Sequence, residues 1–185
     1  MTNNNKVRLR QKRLTDAAND YAWQRDPELT RLDAASPLAM TFNQYLADYT
    51  RLLRYSHPGR YQFAVETIDG RHIGNCAYYN IDEKEGQAEL GIMIGDRTCW
   101  NKGYGSSAVA ALISHIFSTT SLERICLKTL EANSHAQRCF QKCGFTPCGK
   151  MVRDGYSFVL MELHRRQWQR RQERPSPPAR GHSAG

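Results

Sequence analysis

No run of apolar residues in this 185-residue chain approaches the ~20 needed to cross a bilayer as a helix, so no membrane-spanning helix is expected. The opening residues, Met1-Thr2-Asn3-Asn4-Asn5, lack the apolar segment of a secretory signal, which makes a cytoplasmic location the expectation. Acidic residues are scarce at both ends. Residues 1–13 carry five Lys/Arg and no Asp/Glu, and residues 164–185 carry six Arg against Glu173 alone. The formal net charge of +8 therefore resides in the ends, while residues 14–163, with 15 basic and 17 acidic side chains, are close to neutral. Such a distribution gives no reason to expect a nucleic-acid-binding core. The Gly-Lys-Ser/Thr of a P-loop is missing, and the third glycine of a dinucleotide fingerprint is replaced by Ala108. Six cysteines are present, but without a secretion signal they are expected to be reduced thiols, most of them packing as small apolar residues. His135, Cys139 and Cys143 follow one another at i, i+4 and i+8. The outer pair of such a set lies ~12 Å apart along one helix, too far to share an ion, so no metal is expected.

What is present is an alternating order of short strands and amphipathic helices. Strands are predicted at 6–10, 60–67, 72–79, 87–94, 123–130, 145–152 and 156–163, and helices at 14–24, 41–54, 104–119 and 134–143. Asp69-Gly70 marks one hairpin turn, and the polar stretch 80–86 marks the next. A strand-helix-strand order after residue 87 requires a parallel crossover, so an antiparallel meander meets a parallel pair. The expected fold is α+β: one domain over residues 1–163 with a mixed central sheet flanked by helices. Residues 164–185 are rich in Arg, Gln and Pro, and are expected to form a basic disordered tail.

The most informative stretch runs from Ala88 to Ser106. Leu90, Ile92 and Ile94 alternate with Glu89, Gly91 and Met93 along a strand, a glycine-bearing turn follows, and Val109, Leu112, Ile113, Ile116 and Phe117 then fall on one face of a helix. Gly103 and Gly105 thus sit at a helix N-terminus, where unpaired N–H groups can meet an anion's oxygens.

This strand-loop-helix resembles the cofactor signature of the GNAT N-acetyltransferase superfamily, whose Q/R-x-x-G-x-G/A core reads here Trp100-Asn101-Lys102-Gly103-Tyr104-Gly105. Trp100 departs from that core, but Trp100 to Tyr104 is similar to the W-G-K-G-Y segment of the RimJ/RimL-like subgroup. Val7-Arg8-Leu9-Arg10, Trp23-Gln24-Arg25-Asp26-Pro27, Asn133-Ser134-His135-Ala136 and Lys142-Cys143-Gly144-Phe145 match further parts of the pattern in order. The resemblance implies an acetyl-CoA-dependent enzyme that is splayed open at the cofactor strand. The main chain of Ile92, Met93 and Ile94 would pair with the pantetheine arm, and Asn101, Lys102, Gly103, Tyr104, Gly105 and Ser106 would hold the pyrophosphate. Asn133, a plausible helix N-cap, would reach the cofactor arm.

An amine acceptor is protonated at neutral pH and needs a base before it can attack a thioester. Glu89 is the residue the resemblance offers for that role. Main-chain N–H groups near residues 92–94 are the natural donors to the oxyanion. The tyrosine that many relatives place seven residues after the asparagine is Phe140 here, and the serine of some RimL-like members is Ala136, so the general acid is unassigned among water, Tyr78, Tyr79 and Tyr104. The expected reaction is direct attack in a ternary complex on acetyl-CoA, by a protein α-amine as the favoured acceptor. The alternatives are a small amine (polyamine, amino sugar, amino acid or antibiotic), a non-catalytic CoA-binding module, and a nucleic-acid role resting on the basic ends. A monomer or homodimer is expected. Acceptor contacts are expected within 26–59, where Asp26, Glu28 and Asp33 could face a cation, and in the last hairpin.

Overall fold

The computed structural model describes residues 6–55 and 58–173. Seven strands, β1 (Val7–Arg10), β2 (Arg60–Thr67), β3 (His72–Asp82), β4 (Gln87–Ile94), β5 (Arg124–Leu130), β6 (Thr146–Arg153) and β7 (Tyr156–His164), form one sheet in the order β1-β2-β3-β4-β5-β7-β6. All neighbours are antiparallel except β4 and β5, whose parallel pairing is the crossover expected from the element order. The helices are α1 (Ala17–Arg25), α2 (Pro27–Leu32), α3 (Phe42–Arg54), α4 (Tyr104–Thr119), α5 (Ser134–Cys143) and α6 (Arg165–Glu173).

Helix α4 covers one face of the sheet because its apolar stripe is continuous: Val109, Leu112, Ile113, Ile116 and Phe117 are all buried, against Val7, Val65, Ile73, Leu90, Ile125 and Met161. The strand residues between these inward positions carry a second, polar layer beneath α1. Glu66 binds both Arg8 and Arg10, Asp16 takes a bidentate pair from Arg10, and Asp20 is held by Lys12, Tyr49 and Asn75. Three buried carboxylates are tolerable there only because each is paired and hydrogen-bonded.

The structure differs from the sequence expectation in three places. Residues 14–24 divide into a 3₁₀ turn at Leu14–Asp16 and then α1. Helix α2 is additional, started by Asp26, whose side chain accepts from the N–H groups of Glu28 and Leu29, with Pro27 at its first position. The expectation of a structureless segment from His164 fails for Arg165–Glu173, which is helical. Arg165 donates to the carbonyls of Leu122, Phe117 and Thr120, and the Trp168 ring packs 5.4 Å from that of Phe117. The guanidinium satisfies carbonyls around the end of α4, and that non-local gain outweighs the poor local composition. Residues 174–185 of the expected tail lie outside the described residues.

Candidate active site

The sheet opens where the cofactor strand was expected to open. Strands β4 and β5 pair only at Gln87–Arg124, Ala88–Ile125 and Glu89–Cys126. From Leu90 onward β4 keeps its β3 neighbour, while Leu127 to Leu130 of β5 pair with β7 alone. The result is a wedge that begins immediately after Glu89. In an antiparallel edge alternate residues direct their N–H groups outward, so β4 offers main-chain donors to whatever enters the wedge.

A cavity of about 660 Å³ occupies this region. Ile92, Met93 and Ile94 wall it, as do Asn101, Gly103, Gly105 and Ser106 from the turn, and Asn133, Ala136 and Phe140 from the α5 region. Gly103 is the N-cap of α4 at φ +83°, a left-handed conformation in which a side chain is strained. It supplies no capping oxygen, and the first-turn N–H groups of α4 remain available to an anion. Asn101 also has positive φ, at +59°. Trp100, the departure from the signature, donates its indole N–H to the Ile94 carbonyl at 2.7 Å and so ties the turn to the end of β4. Asn133 does cap α5, accepting from the Ala136 N–H at 3.1 Å.

Other expected residues stand elsewhere. Glu89, Lys102 and Tyr104 are not among the cavity walls. Lys102 instead accepts at its carbonyl from Lys6, whose ammonium also lies over the Tyr104 ring. Lys6 is a cation beside the cradle that sequence reasoning did not assign to the site. Arg138 and Lys142 of α5 add two more in the walls. None of Tyr78, Tyr79 and Tyr104 lines the cavity, and Phe140 is buried edge-on to Phe145, so no phenol among the described residues stands ready to protonate a leaving thiolate.

Two carboxylates have contrasting surroundings. Glu89 accepts from Lys128 at 2.7 Å, Asn80 at 2.9 Å and Tyr79 at 3.1 Å. Burial raises its carboxyl, but these donors prevail and hold it below the usual range, which makes a weak base. Asp33, at the end of α2, lines the cavity together with Glu28. It keeps exposed surface, yet protein crowds it within the cleft. That desolvation raises its carboxyl, against the opposing charges of Lys128 and Arg60. The cavity wall thus holds a second carboxylate, exposed Asp33, beside the wedge that opens after the expected Glu89.

The comparisons bear on the family and the fold. The Acetyltransferase (GNAT) domain family matches residues 6–146. The chain belongs to that family. It is 30% identical over 154 residues to the uncharacterized N-acetyltransferase p20 of Bacillus licheniformis, covering 80% of this chain and 83% of that one. It is 33% identical over 100 residues to a spermine/spermidine N(1)-acetyltransferase of Bacillus subtilis, spanning 51% of this chain and 66% of the relative. The spermidine N-acetyltransferase of Vibrio cholerae, solved with CoA and spermine, superposes with a TM-score of 0.80 over 90% of this chain and 99% of that one. At 18% identity this last likeness establishes the fold. The protein is therefore a GNAT N-acetyltransferase with acetyl-CoA as its acyl donor. Among the described residues no helix is long and apolar enough to cross a membrane, and no three His, Cys, Asp or Glu are grouped to hold a metal.

Proposed function

We propose that this acetyltransferase acts on a primary amine of a small polycationic molecule, of the polyamine kind, in place of the protein α-amine that the RimJ/RimL-like segment at Trp100 to Tyr104 implied. The observation that carries this reading is that one cavity is walled both by the glycine cradle and by the two carboxylates Glu28 and Asp33. An ammonium group entering there meets the Asp33 carboxylate, and a second ammonium on the same molecule can share Glu28 with Arg97, which pairs with it at 2.7 Å. The relatives that act on spermine and spermidine support the same acceptor class.

In this account the α4 N-terminus and its glycines hold the pyrophosphate, helped by Lys6, Arg138 and Lys142, and the open edge of β4 holds the pantetheine arm. Asp33 accepts the ammonium proton. The freed nitrogen attacks the thioester carbonyl, and outward N–H groups of residues 92–94 receive the developing oxyanion. The tetrahedral intermediate gives its remaining extra nitrogen proton to water and collapses to the amide with departure of the CoA thiolate. With a thiol pKa near 8.5, water suffices as proton source, and Phe140 in the phenol's place is no obstacle. Glu89 pairs with Lys128 and Tyr79, and by offsetting the Lys128 charge limits how far that ammonium lowers Asp33.

The test is release of free thiol from acetyl-CoA with spermidine, an aminoglycoside, free amino acids and a panel of N-terminal peptides. Turnover of the polyamine at least tenfold above any peptide in kcat/KM supports the reading. Peptide preference restores the protein α-amine, thermal stabilisation by CoA without turnover of any amine points to a binding module, and salt-sensitive RNA binding without turnover points to the nucleic-acid role.

A further inference from the structure

Two thiols of α5 stand against the first turn of α4, where the anion cradle is. Cys139 lines the cavity, and its Sγ lies 3.3 Å from the Ser106 hydroxyl. A Cβ built on Gly105 would come within 3.7 Å of the same sulfur, so the thiol shares the space the cradle keeps open. One turn on, Cys143 donates toward the Ser106 carbonyl at 3.5 Å and lines the shallower cleft between α4 and α6. All six cysteines are free.

We propose that Cys139 is a thiol-modification site in which its sulfur exchanges with a low-molecular-weight anionic disulfide of the glutathione kind, and that the resulting adduct closes the cradle to acetyl-CoA. This rests on the cradle assigned above. The step is ordinary exchange: the Cys139 thiolate attacks one sulfur of the small disulfide, an S–S bond to Cys139 forms, the original S–S bond breaks, and the released thiolate takes a proton from water. The disulfide is the oxidant. Added thiol reverses the step.

Three features favour the thiolate. The sulfur faces a helix N-terminus, which stabilises negative charge. The Ser106 hydroxyl, 3.3 Å away, can direct its hydrogen atom toward it. Lys142 and Arg138 of its own helix share the cavity wall with it, as does His135, and Arg171 of α6 acts on the neighbouring Cys143. The neighbouring Cys143 thiol and the Ser106 hydroxyl lower the Cys139 thiol against the opposing effect of burial, while Cys143 is pushed up and stays protonated. The cations also suit an anionic disulfide. Bound acetyl-CoA has the opposite effect, since its pyrophosphate fills the space and repels a thiolate. The reaction is therefore expected only in the cofactor-free protein.

Cys148 is an internal control: it is exposed, but burial of its sulfur and the charge of Glu162 raise its thiol. A lowered thiol carries more thiolate at neutral pH than an ordinary one at about 8.5, and its lower nucleophilicity offsets only part of that gain. Purified protein treated with glutathione disulfide at pH 7 is followed by intact mass and peptide mapping, with and without saturating acetyl-CoA, and acetyl-CoA affinity is measured before and after. The expected result is one glutathionyl group at Cys139, at least threefold faster than at Cys148. Acetyl-CoA should suppress it at least tenfold, and the adduct should bind acetyl-CoA at least tenfold more weakly until dithiothreitol restores it. Cys139→Ser should keep its acetyl-CoA affinity after the same treatment, and mapping of the unmutated protein decides the site should that variant fold poorly. First modification at Cys148, or an adduct at Cys139 that leaves acetyl-CoA affinity unchanged, overturns the proposal. Failure of the untreated protein to bind acetyl-CoA counts against the cradle instead, and is distinguishable because mapping reads the adduct independently.

Discussion

Asp33→Asn is the substitution that separates the two carboxylates of the site. Asparagine keeps the size and shape of the side chain, and the main-chain bonds from the Asp33 N–H to Leu29 and Thr30 at the end of α2 are untouched. What disappears is a carboxylate in the cavity wall whose proton affinity desolvation has raised. Loss of a positioned base costs about 10²- to 10⁴-fold, or about 2.7–5.4 kcal/mol of barrier at 1.36 kcal/mol per decade. In the parent enzyme kcat/KM should rise with pH as Asp33 loses its proton, at a point above the ordinary aspartate value of about 3.9. In the variant that limb should vanish, and the deficit should shrink toward pH 10, where solvent supplies the free amine. Glu89→Gln serves as the contrast. It removes the partner of Lys128 from an ion pair whose side chains are 18% and 33% accessible, an interaction of about 1 kcal/mol at most after solvent screening. Its effect on Asp33 is a fraction of that, so the expected loss is under tenfold, with the acidic limb retained and moved to lower pH. Steady-state kinetics with spermidine from about pH 3.5 to 10 measures both. Parallel profiles for parent and Asp33→Asn offset by less than threefold, or disappearance of the acidic limb in Glu89→Gln instead, would refute the assignment.

Gly103→Val should fold, because a Cβ there meets nothing nearer than the Lys6 ammonium at 3.8 Å, with about 1–2 kcal/mol of backbone strain at φ +83°. Its acetyl-CoA affinity by calorimetry should nonetheless fall at least tenfold, and an affinity within twofold of the parent rejects the cradle. Arg165→Ala strands carbonyls at Phe117, Thr120 and Leu122 and should cost about 1–3 kcal/mol in urea unfolding. A chain ended at His164 should lose more, with the Trp168 contact gone as well, and an unchanged Tm in either case contradicts a packed α6. The Arg10 and Arg8 guanidinium groups hold Glu66 below the ordinary glutamate range, and Asp16 is likewise lowered, burial opposing and Arg10 favouring the charge. Folded values below unfolded ones mean stabilisation that is present above about pH 4 and is lost as pH falls through the folded values. Glu66→Gln should therefore cost about 1–3 kcal/mol at pH 7 and much less at pH 3, and equal losses at both would exclude the linkage.

Much of this fold is written in local pattern. Strand β4, helix α4 and helix α5 fall where alternation, the 3.6-residue stripe and the flanking Gly103, Asn133 and Gly144 put them, because each ends on a residue whose backbone or cap is chemically distinctive. Helix α2 carried a readable signal in Asp26-Pro27, but six residues are too few for a period to show. Helix α6 carried none, since its strongest anchor is one guanidinium reaching carbonyls more than forty residues away in sequence. The glycine turn that starts α4 was legible for the same reason as the helix. The standing of Glu89 was not. Its spacing from Gly103 matches the family pattern, but the donors that weaken it as a base come from β3 and β5, and only the sheet brings Tyr79, Asn80 and Lys128 to it. Asp33 reaches the cavity wall and Lys6 the Gly103 turn in the same way, through contacts that no local pattern encodes.

The measurement that bears most directly on the account is isothermal titration of acetyl-CoA into the protein followed by a single-turnover assay of the loaded enzyme with spermidine, acetylated product being identified by mass. The account predicts one site per chain and transfer of one acetyl group to a primary amine of spermidine, with no acetylated protein accumulating on the way. Binding without transfer to spermidine or to any other small polyamine, or an acetyl-protein species that forms and decays at the rate of turnover, would contradict it.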